Sequence, residues 1–551
     1  MNQSSLLLTL LLSAAILSGC SDGGSSMSSG STPEQAFSRP QDPLLPWQWH
    51  LYNTGQNLNG LRPLAGADLN IWPLWNRCPV TGCAGEGILV AVVDDGLEIR
   101  HPDLQANVSP LAHRDFMHPP SKANQDPSPT DPDDAHGTAV AGLIAARDNQ
   151  IGGVGVAPRA QLLGINLLAI DFTTQHESEA MQHQIQAVAV SNNSWGAPDG
   201  TGFINPASSP WRQAIEQGIT QGYEGRGIAY IWAGGNGHDQ AGEYFYDYSN
   251  LDGQASFHGV LAVAALNAED RRSSYSEQGS NLLISGFGGE FCNGLAITTT
   301  DLTQRNWGYN PPQIDFVDDL PDPHYTRCFN GTSSAAPTVA GVVALMRQAN
   351  TQLSWRDLRW LLAHHARQND PQHPGWMTNG AGLTFNSEYG FGAADASASV
   401  EAARQHPLLP AYQRLTRTGP ESQTMPAQQI FTSTLDLQAP LVLEFVDLAI
   451  QINGLPAHQD TGELSLSLIS PSGTRSLLLP KRRCHFFDED DNTVPTACED
   501  RLNFTFGSVQ FLGEDAQGPW QLEIDARGMS QPITLNQWQL TFYGHTPSAA
   551  L

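Results

Sequence analysis

At 551 residues the chain exceeds one ordinary domain, and 40% hydrophobic residues with 52 glycines and 37 prolines describe a globular, loop-rich protein, not a disordered one. Acidic residues outnumber basic ones 55 to 27, a net charge of −28. This excludes nucleic acid as the expected partner, since phosphate binding needs clustered Lys and Arg; it suits a protein that binds cations or basic peptides, or one merely kept soluble by its charge.

The first signal lies at the N-terminus. Leu6 to Leu17 is an apolar run of 12 residues, too short to span a bilayer but long enough for a signal-peptide core. It ends in Leu17-Ser18-Gly19-Cys20, which resembles the lipobox of bacterial lipoproteins. The resemblance implies cleavage before Cys20, lipidation of its thiol and, because Ser21 follows instead of Asp, retention at the outer membrane by the lipid alone. A plain cleaved signal with an incidental cysteine is the alternative. Residues 1–20 are therefore expected to be the signal and 21–41 a flexible Ser/Gly-rich tether.

Six further cysteines remain. Cys78 and Cys83 are near neighbours, as are Cys484 and Cys498, while Cys292 and Cys328 flank one long loop. Sequence leaves the connectivity open, and neighbour pairing into three disulfides, as an oxidising compartment permits, is the simplest arrangement. No CxxC occurs, which disfavours a zinc site.

From 42 to 405 short continuous apolar runs alternate with helical segments. The runs Ile88–Val93, Gln161–Asn166, Ile228–Ala233 and Val260–Ala265 read as strands covered on both faces. His136–Arg147 and Trp355–Arg367 read as helices, so the pattern is a doubly wound, mainly parallel α/β domain. After a linker, 406–420, the runs Leu441–Val446, Glu463–Ile469 and Trp538–Tyr543 mostly alternate apolar with polar residues, which predicts an all-β sandwich over 421–545. Lys481-Arg482-Arg483 reads as a solvated basic run at the end of one of its strands, in preference to a self-cleavage site.

Three segments carry chemistry. Asp94 ends a buried strand in Val90-Ala-Val-Val-Asp94-Asp95-Gly96, His136 opens a helix in His136-Gly137-Thr138, and Ser333 opens another in Gly331-Thr332-Ser333-Ser334-Ala335-Ala336-Pro337. A serine hydroxyl is a weak nucleophile until an imidazole takes its proton, and the imidazole needs a carboxylate to fix its tautomer and stabilise its charge. In open α/β sheets such groups gather at the carboxyl ends of strands.

These motifs, with His101-Pro102-Asp103-Leu104, resemble the subtilase superfamily, whose triad has this Asp, His, Ser order. Gln48-Trp49-His50-Leu51, Asn53-Thr54-Gly55-Gln56, Ser194-Trp195-Gly196, Asn379-Gly380-Ala381-Gly382 and Tyr389-Gly390-Phe391-Gly392 resemble its kexin and furin branch. Ser470-Pro471-Ser472-Gly473-Thr474, Gly518-Pro519-Trp520 and Tyr543-Gly544 resemble the P domain of that branch, a jelly-roll-like sandwich. The resemblance implies a serine endopeptidase of protein or peptide substrates, with Asn236, in Ala233-Gly234-Gly235-Asn236-Gly237, completing the oxyanion hole.

It also implies that Ser194-Trp195-Gly196 forms an edge strand on which an extended peptide pairs. Asp199 and Asp247 would then select Arg or Lys at the residue before the scissile bond. One calcium site would use Asp42, Asp103 and Asn149 with the carbonyls of Ala146, Ile151 and Gly153, and a second Asp199, Asp239 and Glu277. About twenty residues separate Cys20 from Asp42, too few for a folded pro-domain; unaided maturation or a separate chaperone is expected, and a monomer. A broad-specificity degradative subtilase, and an adhesion module built on an inactive one, are the alternative readings.

Overall fold

The computed structural model describes residues 39–547 apart from 78–82, 120, 123–124, 239, 305–306, 310–319, 321, 454, 456–458 and 489–491. The expectations for Cys20, Cys78, Asp239, the signal and most of the tether therefore lie outside the described residues. All that follows concerns the compact unit Phe37–Leu551.

Seven parallel strands make one sheet in the order Arg114–Asp115, Gln161–Asn166, Leu89–Asp94, Val190–Asn193, Ala229–Ala233, Val260–Leu266 and Leu282–Phe287. Leu89–Asp94 is buried at every residue, as its unbroken apolar run requires of a strand covered by helices on both faces. The helices Thr332–Ala349 and His136–Ala145 pack side by side against it, the former buried from Ser334 to Arg347. Leu89–Asp94 lies between Gln161–Asn166 and Val190–Asn193, where the strand order reverses, so its carboxyl end sits at the topological switch point where such sheets bind ligands. The predicted helix over 136–147 ends at Ala145 and that over 355–367 at His364.

The C-terminal part is a sandwich of antiparallel sheets. One contains Tyr412–Thr418, Gln423–Met425, Val442–Asn453, Leu502–Ser508 and Ile533–His545; the other contains Ile430–Leu437, Ser465–Ile469, Arg475–Leu479 and Gly518–Asp525. Tyr412–Thr418 falls inside the segment read as a linker, and pairs along its whole length with Ile533–His545. It is mostly exposed and carries two Arg, so alternation alone did not mark it as a strand.

The two domains share their cores. Phe445, Val509, Leu512 and Tyr543 of the sandwich pack into the α/β core, while Tyr248 and Leu251 pack into that of the sandwich. Across the junction Arg356 grips Glu444 through Nε and Nη2, at 2.8 and 2.5 Å, and His545 meets the same carboxylate at 2.7 Å. Burial opposes the Glu444 charge, but His545 and Arg356 hold its carboxyl below the usual range. Removing one partner of such a buried pair strands the other. Glu444→Gln is accordingly expected to lower unfolding free energy by about 3 kcal/mol, read by chemical denaturation; an unchanged midpoint would contradict this role.

Candidate active site

Asp94, wholly buried at the carboxyl end of the central strand, faces the start of the His136 helix. His136 Nδ1 lies 2.8 Å from Asp94 Oδ1 and donates to it, since a carboxylate can only accept; Nε2 remains the ring's other functional nitrogen. Gly137 makes this approach feasible, as a Cβ there would fall 2.1 Å from Gly96 O and 2.7 Å from Asp94 Cβ. Phe329 closes over the ring, edge to face at 5.2 Å.

Asp95, for which the sequence alone suggests no role, holds the helix. Its carboxylate accepts from His136 N at 3.0 Å and Gly137 N at 2.7 Å, two donors otherwise unpaired at a helix start. Burial and the Asp94 charge push Asp95 up to about 7. Burial works against a charged His136 ring, yet Asp94, with Asp95 beyond it, outweighs burial and raises the ring to about 9. Were His136 a general base, it would work in its neutral form, and the ascending limb of activity should lie on the alkaline side. Asp95→Asn removes a charge that favours the imidazolium and should move that limb toward acid in a pH profile of kcat/KM; an unmoved limb would contradict this electrostatic role.

Ser333 is the second residue of the Thr332–Ala349 helix, after Gly331 at φ +90°. Its Oγ donates to Ser194 O at 3.0 Å, and Ser194 Oγ donates to Ser333 O at the same distance. Ser194–Gly196 was expected to be an edge strand. It follows directly on Val190–Asn193 without a strand partner among the described residues, and Trp195 Nε1 ties it to Val93 O at 3.1 Å.

Asn236 is fixed by the same helix. Thr332 N and Thr332 Oγ1 lie 2.8 and 2.9 Å from Asn236 Oδ1. A backbone N–H can only donate, which assigns Oδ1 to that side and leaves Nδ2 on the other. Nδ2 lies 3.2 Å from Asp199, whose carboxylate also accepts Asn236 N at 3.0 Å.

Asp199, Asp247 and Glu277 form one acidic cluster. Asp247 accepts from Gly200 N at 2.7 Å and Tyr248 N at 2.8 Å, and Glu277 accepts from Gly237 N at 2.9 Å. Burial, with Asp199 nearby, pushes Asp247 up to about 7; burial, with Asp247 and Asp199, holds Glu277 well above its usual range. The raised Asp247 and Glu277 carboxyls mark a site where a positive charge would be welcome.

Asp42 and Asp103 converge elsewhere. Asn149 Nδ2 donates to Asp103 at 2.9 Å, Gly153 N donates to Asp103 at 3.2 Å, and Asp42 accepts Asn149 N and Gln150 N at 3.0 and 2.9 Å. Asp42 Oδ2 is buried with no hydrogen-bond partner among the described residues, and burial raises Asp42 to about 6 and Asp103 to about 8, the latter helped by Asp42. Among the described residues no three His, Cys, Asp or Glu side chains converge as a metal centre. Two carboxylates beside a side-chain amide, one carboxylate oxygen lacking a partner among the described residues, nonetheless fit a hard cation. Cys292–Cys328 and Cys484–Cys498 are bonded, and Cys83 is in a disulfide.

A doubly wound parallel sheet bearing Asp, His and Ser in that chain order at its carboxyl end defines the class, an α/β serine protease. The subtilase family profile matches residues 85–392, and the proprotein convertase P-domain profile matches 446–542. The Aeromonas extracellular serine protease of Aeromonas sobria is 36% identical over 90% of this chain and 86% of its own length; human neuroendocrine convertase 2 is 32% identical over 91% and 74%. The crystal structure of the Aeromonas sobria serine protease with its chaperone superposes with a TM-score of 0.79, at 33% identity over 95% of this chain and 98% of that one. The chain belongs to the subtilase family, as a serine protease related to the kexin-like convertases and carrying a P domain.

Proposed function

We propose that the chain is an endopeptidase in which Asp94, His136 and Ser333 act as one unit. The observation that carries this is the Asp94–His136 contact, which fixes the tautomer and leaves Nε2 as proton acceptor. On attack the Ser333 hydroxyl exchanges the Ser194 carbonyl for the imidazole, and its oxygen adds to the scissile carbonyl. Asn236 Nδ2 and Ser333 N donate to the resulting oxyanion, and the imidazolium protonates the leaving amine.

Asp199 and Asp247 make the pocket selective for Arg or Lys, because a basic side chain relieves the repulsion within the cluster. A peptide library profiled for the residue before the cleaved bond tests this: enrichment of Arg and Lys supports it, and uniform cleavage after Leu or Phe favours a broad degradative protease instead. Asp42, Asp103 and Asn149, with carbonyls of Ala146, Ile151 and Gly153, would hold calcium, which supplies charge neutralisation there; Glu277 with Asp199 would serve a second ion. Lipidation of Cys20 would anchor the enzyme at the outer membrane, and mass spectrometry of the mature N-terminus checks it. The Aeromonas relative was crystallised with a chaperone, and a folding partner of that kind is proposed here; immediate full activity of the chain expressed alone would exclude it.

A further inference from the structure

Within the Lys481-Arg482-Arg483 run, Arg483 is exposed as expected but Arg482 is buried. Arg482 is 1% exposed, and its guanidinium donates to Gly202 O at 2.7 Å, Thr461 O at 3.1 Å and the Glu499 carboxylate. Phe245 N donates to Lys481 O at 3.0 Å and Arg483 N to Phe245 O at 2.8 Å, while Glu499 accepts Ile204 N at 2.7 Å. These bonds clamp a P-domain hairpin, Cys484–Phe487 paired with Thr493–Thr496 and bridged by Cys484–Cys498, onto the two segments that follow Asp199 and precede Asp247.

Alternation along the strand gives its residues different faces. His485 and Phe487 share one: His485 N donates to Thr201 O at 3.1 Å, and its ring meets Tyr246 at 5.6 Å and Phe487 at 5.2 Å. Phe487 itself remains 47% exposed, its ring 4.0 Å from where a Gly200 Cβ would stand. Gly200 is the residue after Asp199 and donates to Asp247. Phe486, 51% exposed, belongs to the opposite face. A rigidly held, half-exposed aromatic one residue from the acidic cluster thus continues that cluster as an apolar wall.

We infer that Phe487 is a specificity-determining residue, contributed by the P domain, which receives a bulky apolar side chain of the peptide beside the residue held by Asp199 and Asp247. The inference rests on the assignment of that acidic pocket. Peptides with Arg before the scissile bond, and Leu or Ser at each flanking position in turn, read it directly. For the full-length enzyme one flanking position should favour Leu. Phe487→Ser should cut that Leu-to-Ser ratio of kcat/KM about fivefold, the scale of one partly buried aromatic contact, and leave cleavage of a small Arg ester unchanged; Phe486→Ser should preserve the ratio. An unchanged ratio in Phe487→Ser, or an equal loss in Phe486→Ser, overturns the inference while leaving the pocket assignment standing. Wild-type enzyme that ignores Arg peptides but cleaves others overturns both.

Discussion

Replacing Ser333 with Ala is expected to lower kcat by about 10⁶-fold, leaving only catalysis by binding and the oxyanion donors. The substitution removes one oxygen, whose hydrogen bond to Ser194 O is a single contact at the helix start; Ser194 Oγ still reaches Ser333 O. Stability should therefore change by about 1 kcal/mol. Steady-state hydrolysis of an Arg peptide, alongside a denaturation curve, separates the two effects. Near-native turnover by a folded Ser333→Ala protein would remove the nucleophile assignment.

Calcium should produce the other large effect. In chelator, the folded state keeps protons on Asp42 and Asp103 at pH values where unfolded carboxyls have lost them, because both are raised, to about 6 and about 8. Burial is the main cause, with Asp148 adding to Asp42 and Asp42 to Asp103. The folded form then binds more protons than the unfolded form, so stability without metal falls as pH rises from about 4 to about 8. Calcium bound as proposed would engage the ionised pair, and at about a thousandfold excess over its Kd should add about 4 kcal/mol at neutral pH. Asp103→Asn should abolish most of that gain, as read by thermal melts with and without calcium. Identical melts in calcium and chelator would show that this donor set holds no ion.

The doubly wound domain was legible because buried parallel strands must be continuously apolar: the run Gln161–Asn166 matches the observed strand end to end. Asp94 and His136 were legible because each ends or opens an element, so that a polar residue interrupts an otherwise apolar stretch. The exposed strand Tyr412–Thr418 was not, because its side chains pack little and only its pairing with Ile533–His545 defines it. Lys481-Arg482-Arg483 was read as solvated from charge alone; Arg482 is buried because Glu499, Thr461 and Gly202 come to meet it from distant parts of the chain. Asp95 carried a visible signal, a second carboxylate beside the first, but its task of holding the His136 helix required the helix to be placed.

A double-substitution cycle tests the joint action of imidazole and hydroxyl most directly. Turnover of Ser333→Ala, His136→Ala and the combined variant would be measured on one Arg peptide. If the ring activates the hydroxyl, each single loss should nearly equal the loss in the combined variant, because neither group catalyses without the other. Losses that multiply, or a His136→Ala enzyme with near-native turnover, would contradict the account.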